Sequence, residues 1–185
     1  MRIALIAACL VLAACAGPAD RLVTPPVTPE GSARIAFASV EVRDLSLPSY
    51  AQDEEVYVEG EGGLIRRADR LLWADDPVRG ATLDLVRGLG ALTGARIAGE
   101  PWPFDGYPDA RLEVRIEEFV ASEAAQAFRI SGQYFVADLS GNGRDRSGRF
   151  AIAVPLATLA PAAIADARAA AMADLARTIA EDGLR

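Results

Sequence analysis

Asp75-Asp76-Pro77-Val78-Arg79-Gly80-Ala81-Thr82-Leu83-Asp84-Leu85-Val86-Arg87-Gly88-Leu89-Gly90-Ala91-Leu92-Thr93-Gly94 is the stretch where the chain changes its hydrophobic period. Before it, apolar residues come in short runs broken by turn residues. Within it, Val78, Ala81, Leu85, Leu89 and Leu92 recur every three or four positions, which predicts one buried helical face. Asp76 is a good N-cap, Pro77 a good first helical residue and Gly94 a good stop. Gly88 and Gly90 inside the helix each cost about 1 kcal/mol against alanine, so close backbone packing or early fraying is expected there.

Upstream of this helix the pattern is that of strands. Ile35, Phe37, Val40 and Val42 predict a strand over about 34–43, ended by Leu47-Pro48-Ser49-Tyr50. Val56-Tyr57-Val58 is a second short strand before the turn at Gly60, Gly62 and Gly63, and Leu64-Ile65-Arg66 and Arg70-Leu71-Leu72-Trp73 are short extended pieces.

Downstream, Pro101-Trp102-Pro103-Phe104 to Pro108 is a rigid aromatic loop. Its tryptophan either covers the core or serves as a knob for a partner. Leu112, Val114, Ile116 and, after a phase slip, Phe119 mark a strand whose alternate positions Glu113, Arg115 and Glu117 face water. Phe128 to Val136 is its partner, Ser140-Gly141-Asn142-Gly143 a turn, and Arg149 to Val154 a further strand. A last helix over about 160–181 carries Ile164, Ala171, Leu175 and Ile179 on one face. The order strand-strand-strand-helix-strand-strand-strand-helix predicts an α+β domain: an antiparallel sheet with both long helices packed on one face.

The N-terminus decides where such a domain resides. Met1-Arg2 is followed by an apolar run from Ile3 to Leu12 and then by Leu12-Ala13-Ala14-Cys15. A run this short cannot span a bilayer, which needs roughly 20 apolar residues, so it reads as an export signal with a lipid-attachment box. Residues 1–14 are thus expected to be removed and Cys15 to carry the lipid. Ala16 rather than aspartate follows, which by the common bacterial sorting rule sends the protein to the outer membrane. Two other readings stay open: a box at Ile6-Ala7-Ala8-Cys9, and ordinary cleavage before Gly17 that releases a soluble periplasmic protein. Residues 16–32, with Pro18, Pro25, Pro26 and Pro29, read as an extended tether whose seventeen residues could reach roughly 50 Å. The folded body is then expected from Ala33 to Arg185.

Composition narrows the chemistry. The chain has 185 residues and a net charge of −7, with no histidine, no lysine and only Cys9 and Cys15 as thiols. Ser-His-Asp and Ser-Lys catalysis lack their bases, zinc lacks its usual ligands, and no disulfide can form in the mature chain. No cofactor is indicated, and an acidic surface without a basic cluster argues against nucleic acid and against direct adhesion to anionic headgroups. Carboxylate chemistry stays open, either as an acid pair acting on glycans or as hard-metal binding. Asp53-Glu54-Glu55 with Glu59 and Glu61 lacks the spacing of a calcium loop and reads as a solvated loop. Glu117-Glu118 is expected to point to opposite faces of a strand, and Asp75-Asp76 to cap a helix.

Several of these segments together carry a resemblance. The Cys15 box, Leu47-Pro48-Ser49-Tyr50, Arg70 to Val78 with Trp73-Ala74-Asp75-Asp76-Pro77, and Ala173 to Ala180 resemble the ABC-type transport auxiliary lipoprotein family, PqiC type, over about residues 33–183. Where that family commonly has Tyr-Leu-acidic-Arg, this chain has Tyr50-Ala51-Gln52-Asp53. The resemblance implies a non-enzymatic, outer-membrane-anchored part of an intermembrane lipid transport system. Its partner would be an MCE-domain protein that spans the periplasm, and indirectly an ABC transporter permease. Trp102, Phe104, Tyr50 and Trp73 are the candidate docking residues, and self-association stays open. Alternatives are a domain that itself binds lipid, or a scaffold for another envelope machine.

Overall fold

The computed structural model describes residues 18–141, 143 and 145–185; the signal stretch, Cys15 and Asn142 lie outside the described residues. Among the described residues the order is β1 (Asp20–Leu22), β2 (Ser39–Val42), β3 (Glu55–Glu59), β4 (Ile65–Trp73), α1 (Pro77–Thr93), β5 (Arg96–Gly99), β6 (Ala110–Ser122), β7 (Ala127–Asp138), β8 (Arg146–Pro155) and α2 (Pro161–Thr178). A π turn, Ile179–Gly183, continues α2.

Strand β6 is the axis of the sheet. One edge pairs antiparallel with β7 along nearly its whole length, and β7 pairs antiparallel with β8. The other edge is shared between two branches. Val40–Val42 of β2 run parallel to Ala110–Leu112, and Val58–Glu59 of β3 run parallel to Ala121–Ser122. Beyond β2 lies β5; beyond β3 lie β4 and then β1.

The expected antiparallel sheet is therefore corrected to a mixed one, with β1–β4, β2–β5, β2–β6 and β3–β6 all parallel. Alternation of apolar and polar residues reports a wet face, not strand direction. Parallel neighbours are joined by long crossovers that leave no local turn signal. The expected element order changes too, because β1 and β5 were not anticipated, and the two extended pieces around residue 70 form one strand, β4, in which Arg70 takes a positive φ of 53°. The strand foreseen over 34–43 is ordered as β only at Ser39–Val42.

The helices cover the apolar face. Ala81, Leu85, Leu89 and Leu92 of α1 and Ile164, Ala171 and Leu175 of α2 are buried in one core with Leu112, Val114, Ile130 and Phe128 of the sheet. Helix α1 begins as its sequence implies: Asp76 Oδ1 accepts the Arg79 N–H at 2.7 Å, and Gly94 closes it in the left-handed region at φ 64°. The helices approach closely at Gly88, where an added Cβ would lie 2.7 Å from that of Ala176. Gly90 has open space around it.

The opposite face is a ladder of ion pairs. Arg111 reaches Glu41 at 2.6 Å and Arg149 reaches Glu117 at 2.9 Å; Arg129 lies between Glu59 and Glu118. The phase slip before Phe119 is a β-bulge between Ile116 and Glu118. It corrects the expectation for Glu117-Glu118. Glu117 accepts from Gln133 and Arg149 while Glu118 accepts from Arg129, so both carboxylates serve polar positions of β7 and β8.

Within the stretch expected to be an extended tether, the chain packs on the fold from Asp20 onward. β1 adds to β4, Arg177 donates to the Glu30 carbonyl at 2.7 Å, Pro29 packs beside Gly88, and the Ala33 N–H donates to the Leu92 carbonyl at 2.8 Å.

Candidate functional site

The C-terminal helix carries a charge on its apolar stripe. Arg168 falls four residues after Ile164 and three before Ala171, and it is only 3% exposed. Its Nη1 donates to Thr24 Oγ1 at 2.5 Å and lies 3.3 Å from Asp84 Oδ2 of α1. The guanidinium carbon sits 5.1 Å from the ring centroid of Trp73 and 5.6 Å from that of Phe119. Burial lowers the pKa of this group, while Asp84 and then Asp75 act in the opposite direction. Its Nε has no hydrogen-bond partner within the described structure. One side chain thus ties β4, β6, both helices and the residues after β1.

Beside it opens a cavity of about 210 Å³ whose lining includes Val23, Thr24, Trp73, Asp76, Leu83 and Asp84. Small-molecule sites usually hold about 300–1,000 Å³, and here three carboxylates, Asp75, Asp76 and Asp84, share the wall with Arg87 and Arg168, both paired with Asp84. The arrangement suits a structural tie better than a lipid headgroup site.

The second candidate is the loop between β5 and β6. Glu41 of β2, 6% exposed, accepts the Trp102 N–H through Oε1 at 3.1 Å and the Arg111 Nε–H through Oε2 at 2.6 Å. Glu100 adds a second clamp, accepting the Asp44 N–H at 3.0 Å. Asp109 closes the far end by accepting the Ala38 and Ser39 N–H groups at 2.9 Å each. On this base Trp102 and Phe104 meet edge to face at 5.0 Å, with Arg96 over the Phe104 ring at 5.1 Å. Phe104 is 44% exposed and Tyr107 is 93% exposed. The result is a pinned aromatic ridge.

The four aromatic docking candidates are thereby separated. Trp102 and Phe104 share the ridge. Trp73 is buried beneath Arg168, and Tyr50 is half-buried, its hydroxyl accepting the Phe119 N–H at 3.1 Å. Burial is the main cause of a raised Tyr50 pKa. Trp73 is enclosed by the fold, whereas Tyr50, like Trp102, keeps part of its surface exposed. Cys15 lies outside the described residues. Arg168 escaped sequence reasoning, although a charge on the Ile164–Ala171–Leu175 stripe was the available signal.

Among the described residues no group of three or more His, Cys, Asp or Glu side chains is placed to hold a metal ion. No described helix is long and apolar enough to cross a membrane.

A family model described as the ABC-type transport auxiliary lipoprotein component matches residues 21–180. No curated protein matches the chain. Among solved structures, protein XCC0632 from Xanthomonas campestris, of the DUF330 family, is similar at TM-score 0.71 and 19% identity, covering 88% of this chain and 93% of that one. A crystal structure of an uncharacterized protein is similar at TM-score 0.67 and 18% identity, covering 83% and 97%. At these identities the two structures speak for the fold alone.

Proposed function

Because the chain belongs to the ABC-type transport auxiliary lipoprotein component family, we propose that it is the outer-membrane-anchored, non-enzymatic member of an MCE/ABC-type intermembrane lipid transport system. Cys15 carries the lipid. The domain docks an MCE-domain protein that spans the periplasm, and through it an ABC transporter permease.

The family match over residues 21–180 carries this reading. The Trp102–Phe104 ridge supports it as the docking surface. The exposed Phe104 ring packs edge to face on the half-buried Trp102, whose backbone N–H is held by Glu41, so the ridge loses little freedom on binding, as a partner anchor requires. The alternative in which the domain itself carries lipid is less favoured, since the cavity beside Arg168 holds only about 210 Å³ and the larger one, about 460 Å³, is lined mainly by the charged Glu41, Arg43, Glu100 and Arg111 rather than by apolar side chains.

The test is a photocrosslinking residue at position 104 in the anchored protein in cells. Recovery of an MCE-domain protein is the expected outcome. Recovery only of outer-membrane or peptidoglycan-linked partners would remove the transport assignment.

A further inference from the structure

The β3–β4 hairpin differs from the rest of the domain. Its tip is Glu61–Gly63, followed by Leu64 at 56% and Ile65 at 41% exposure. Ile65, Arg66 and Arg67 are exposed in succession, so both faces of the ribbon meet solvent. β1 covers β4 only at Leu71–Trp73, which leaves residues 65–70 without a strand on that edge among the described residues. From Glu59 to Arg70 the charges balance, Glu59, Glu61 and Asp69 against Arg66, Arg67 and Arg70, with the two adjacent arginines directly after the exposed Leu64 and Ile65. Glu55 lies 4.0 Å from Arg67, and Glu59 is occupied by Arg129.

The entry of the chain into the fold is at the same end. β1 runs parallel to β4, and the Pro18 carbonyl accepts from Arg70 at 2.9 Å. The backbone therefore reaches β1 from the side on which β4 itself starts. Pro18 follows the expected attachment residue by three positions, and three residues of chain span at most about 11 Å. Ile65 is five residues before Arg70 along the strand, about 17 Å away. At the other end of the molecule is the aromatic ridge. Glu59 is in register with Ser122, the last residue of β6, whereas the ridge leads into Ala110, the first. The two ends are separated by the length of β6, roughly 40 Å.

We propose that the β3–β4 tip is a membrane-contact surface: Leu64 and Ile65 enter the interfacial layer while Arg66 and Arg67 bind lipid phosphates. Two short apolar side chains beside arginines suit the headgroup boundary, where apolar groups bury shallowly and guanidinium groups pair with phosphate. The tip would fix the domain upright on the bilayer, with Trp102 and Phe104 directed away from it. This inference rests on the lipid-anchor reading of Cys15.

Once the signal is removed and Cys15 is acylated, the chain has no free thiol, so Leu64→Cys places a unique label. The full lipidated protein, labelled there with an environment-sensitive fluorophore, is reconstituted into phosphatidylethanolamine–phosphatidylglycerol vesicles, with Tyr107→Cys as the distal comparison. The expected result is a blue shift at position 64 and loss of its emission with shallow spin-labelled lipids, with neither at 107. Ile65→Cys repeats the measurement at a neighbouring exposed position. An aqueous signal at both tip positions in vesicle-bound protein would overturn the membrane contact while leaving the anchor intact. Failure of the lipidated protein to stay with the vesicles would overturn the anchor and the contact together. A response that appears only on adding an MCE-domain protein would assign the tip to a protein partner instead.

Discussion

The guanidinium of Arg168 lies 5.1 Å from the ring of Trp73, and the same group touches Thr24 and Asp84. Removing it deprives Asp84 of its buried cation and Thr24, after β1, of its hydrogen-bond partner. Arg168→Met is expected to cost about 3 kcal/mol in urea unfolding, the lower end for a broken buried pair, because Asp84 also holds Arg87. Arg168→Lys should recover little, since an ammonium neither stacks nor forks as a guanidinium does. Arg168→Met with Asp84→Leu should cost less than Arg168→Met alone. Additive losses would contradict the pairing.

The two glycines of α1 should respond in opposite senses. Gly88→Ala drives a methyl to 2.7 Å from Ala176, which is overpacking and should destabilise by about 1–3 kcal/mol despite better helix propensity. Gly90→Ala meets no atom within 4 Å and should stabilise by about 0.5–1 kcal/mol. Thermal unfolding of the two variants distinguishes a helix crossing from a merely flexible helix.

Stability should fall at alkaline pH through two tyrosines. Burial raises both Tyr50 and Tyr134 above the ordinary 10.0. The unfolded chain then loses these protons first, so the contribution is complete below about pH 10 and is lost as pH rises past it. Tyr50→Phe should lessen that fall, while costing about 1 kcal/mol at neutral pH by leaving the Phe119 N–H unpaired. On the acid side, the Gln133 hydrogen bond lowers Glu117 from 4.5, and the Ser140 side chain lowers Asp138 from 3.8. Their support is present above those values and lost as pH falls through the lowered ones. Both carboxylates are exposed, so salt should weaken the effect.

Replacement of the expected lipid-attachment residue tests the anchor separately from the fold. Cys15→Ser should move the protein out of the outer-membrane fraction without changing the unfolding transition of the domain. An unchanged membrane fraction would exclude Cys15 as the attachment point.

Local chemistry was the legible part of this sequence. Asp76, Pro77 and Gly94 bound α1 where their cap and stop preferences put them, and the apolar jump before Phe119 marked a true bulge. The strands that escaped were those with no local signature. Asp20–Leu22 is three residues held by β4, and Arg96–Gly99 is four residues held by β2, so each is a strand only through a distant neighbour. Tyr50 and Trp73 illustrate the same limit at the site. An aromatic residue reads alike in sequence whether its ring meets solvent, a backbone N–H or a buried cation, and only packing separates Trp102 and Phe104 from the other two.

The sharing of β6 between β2 and β3 has a temporal consequence. A chain that emerges N-terminus first presents β2 and β3 long before residues 110–122, which both require as a neighbour. Arg168 follows later still, and only then can Thr24 find its partner. Until the last helix arrives, the β2 and β3 edges and the apolar face of the sheet lack part of their cover, and the emerging chain needs guarding against self-association.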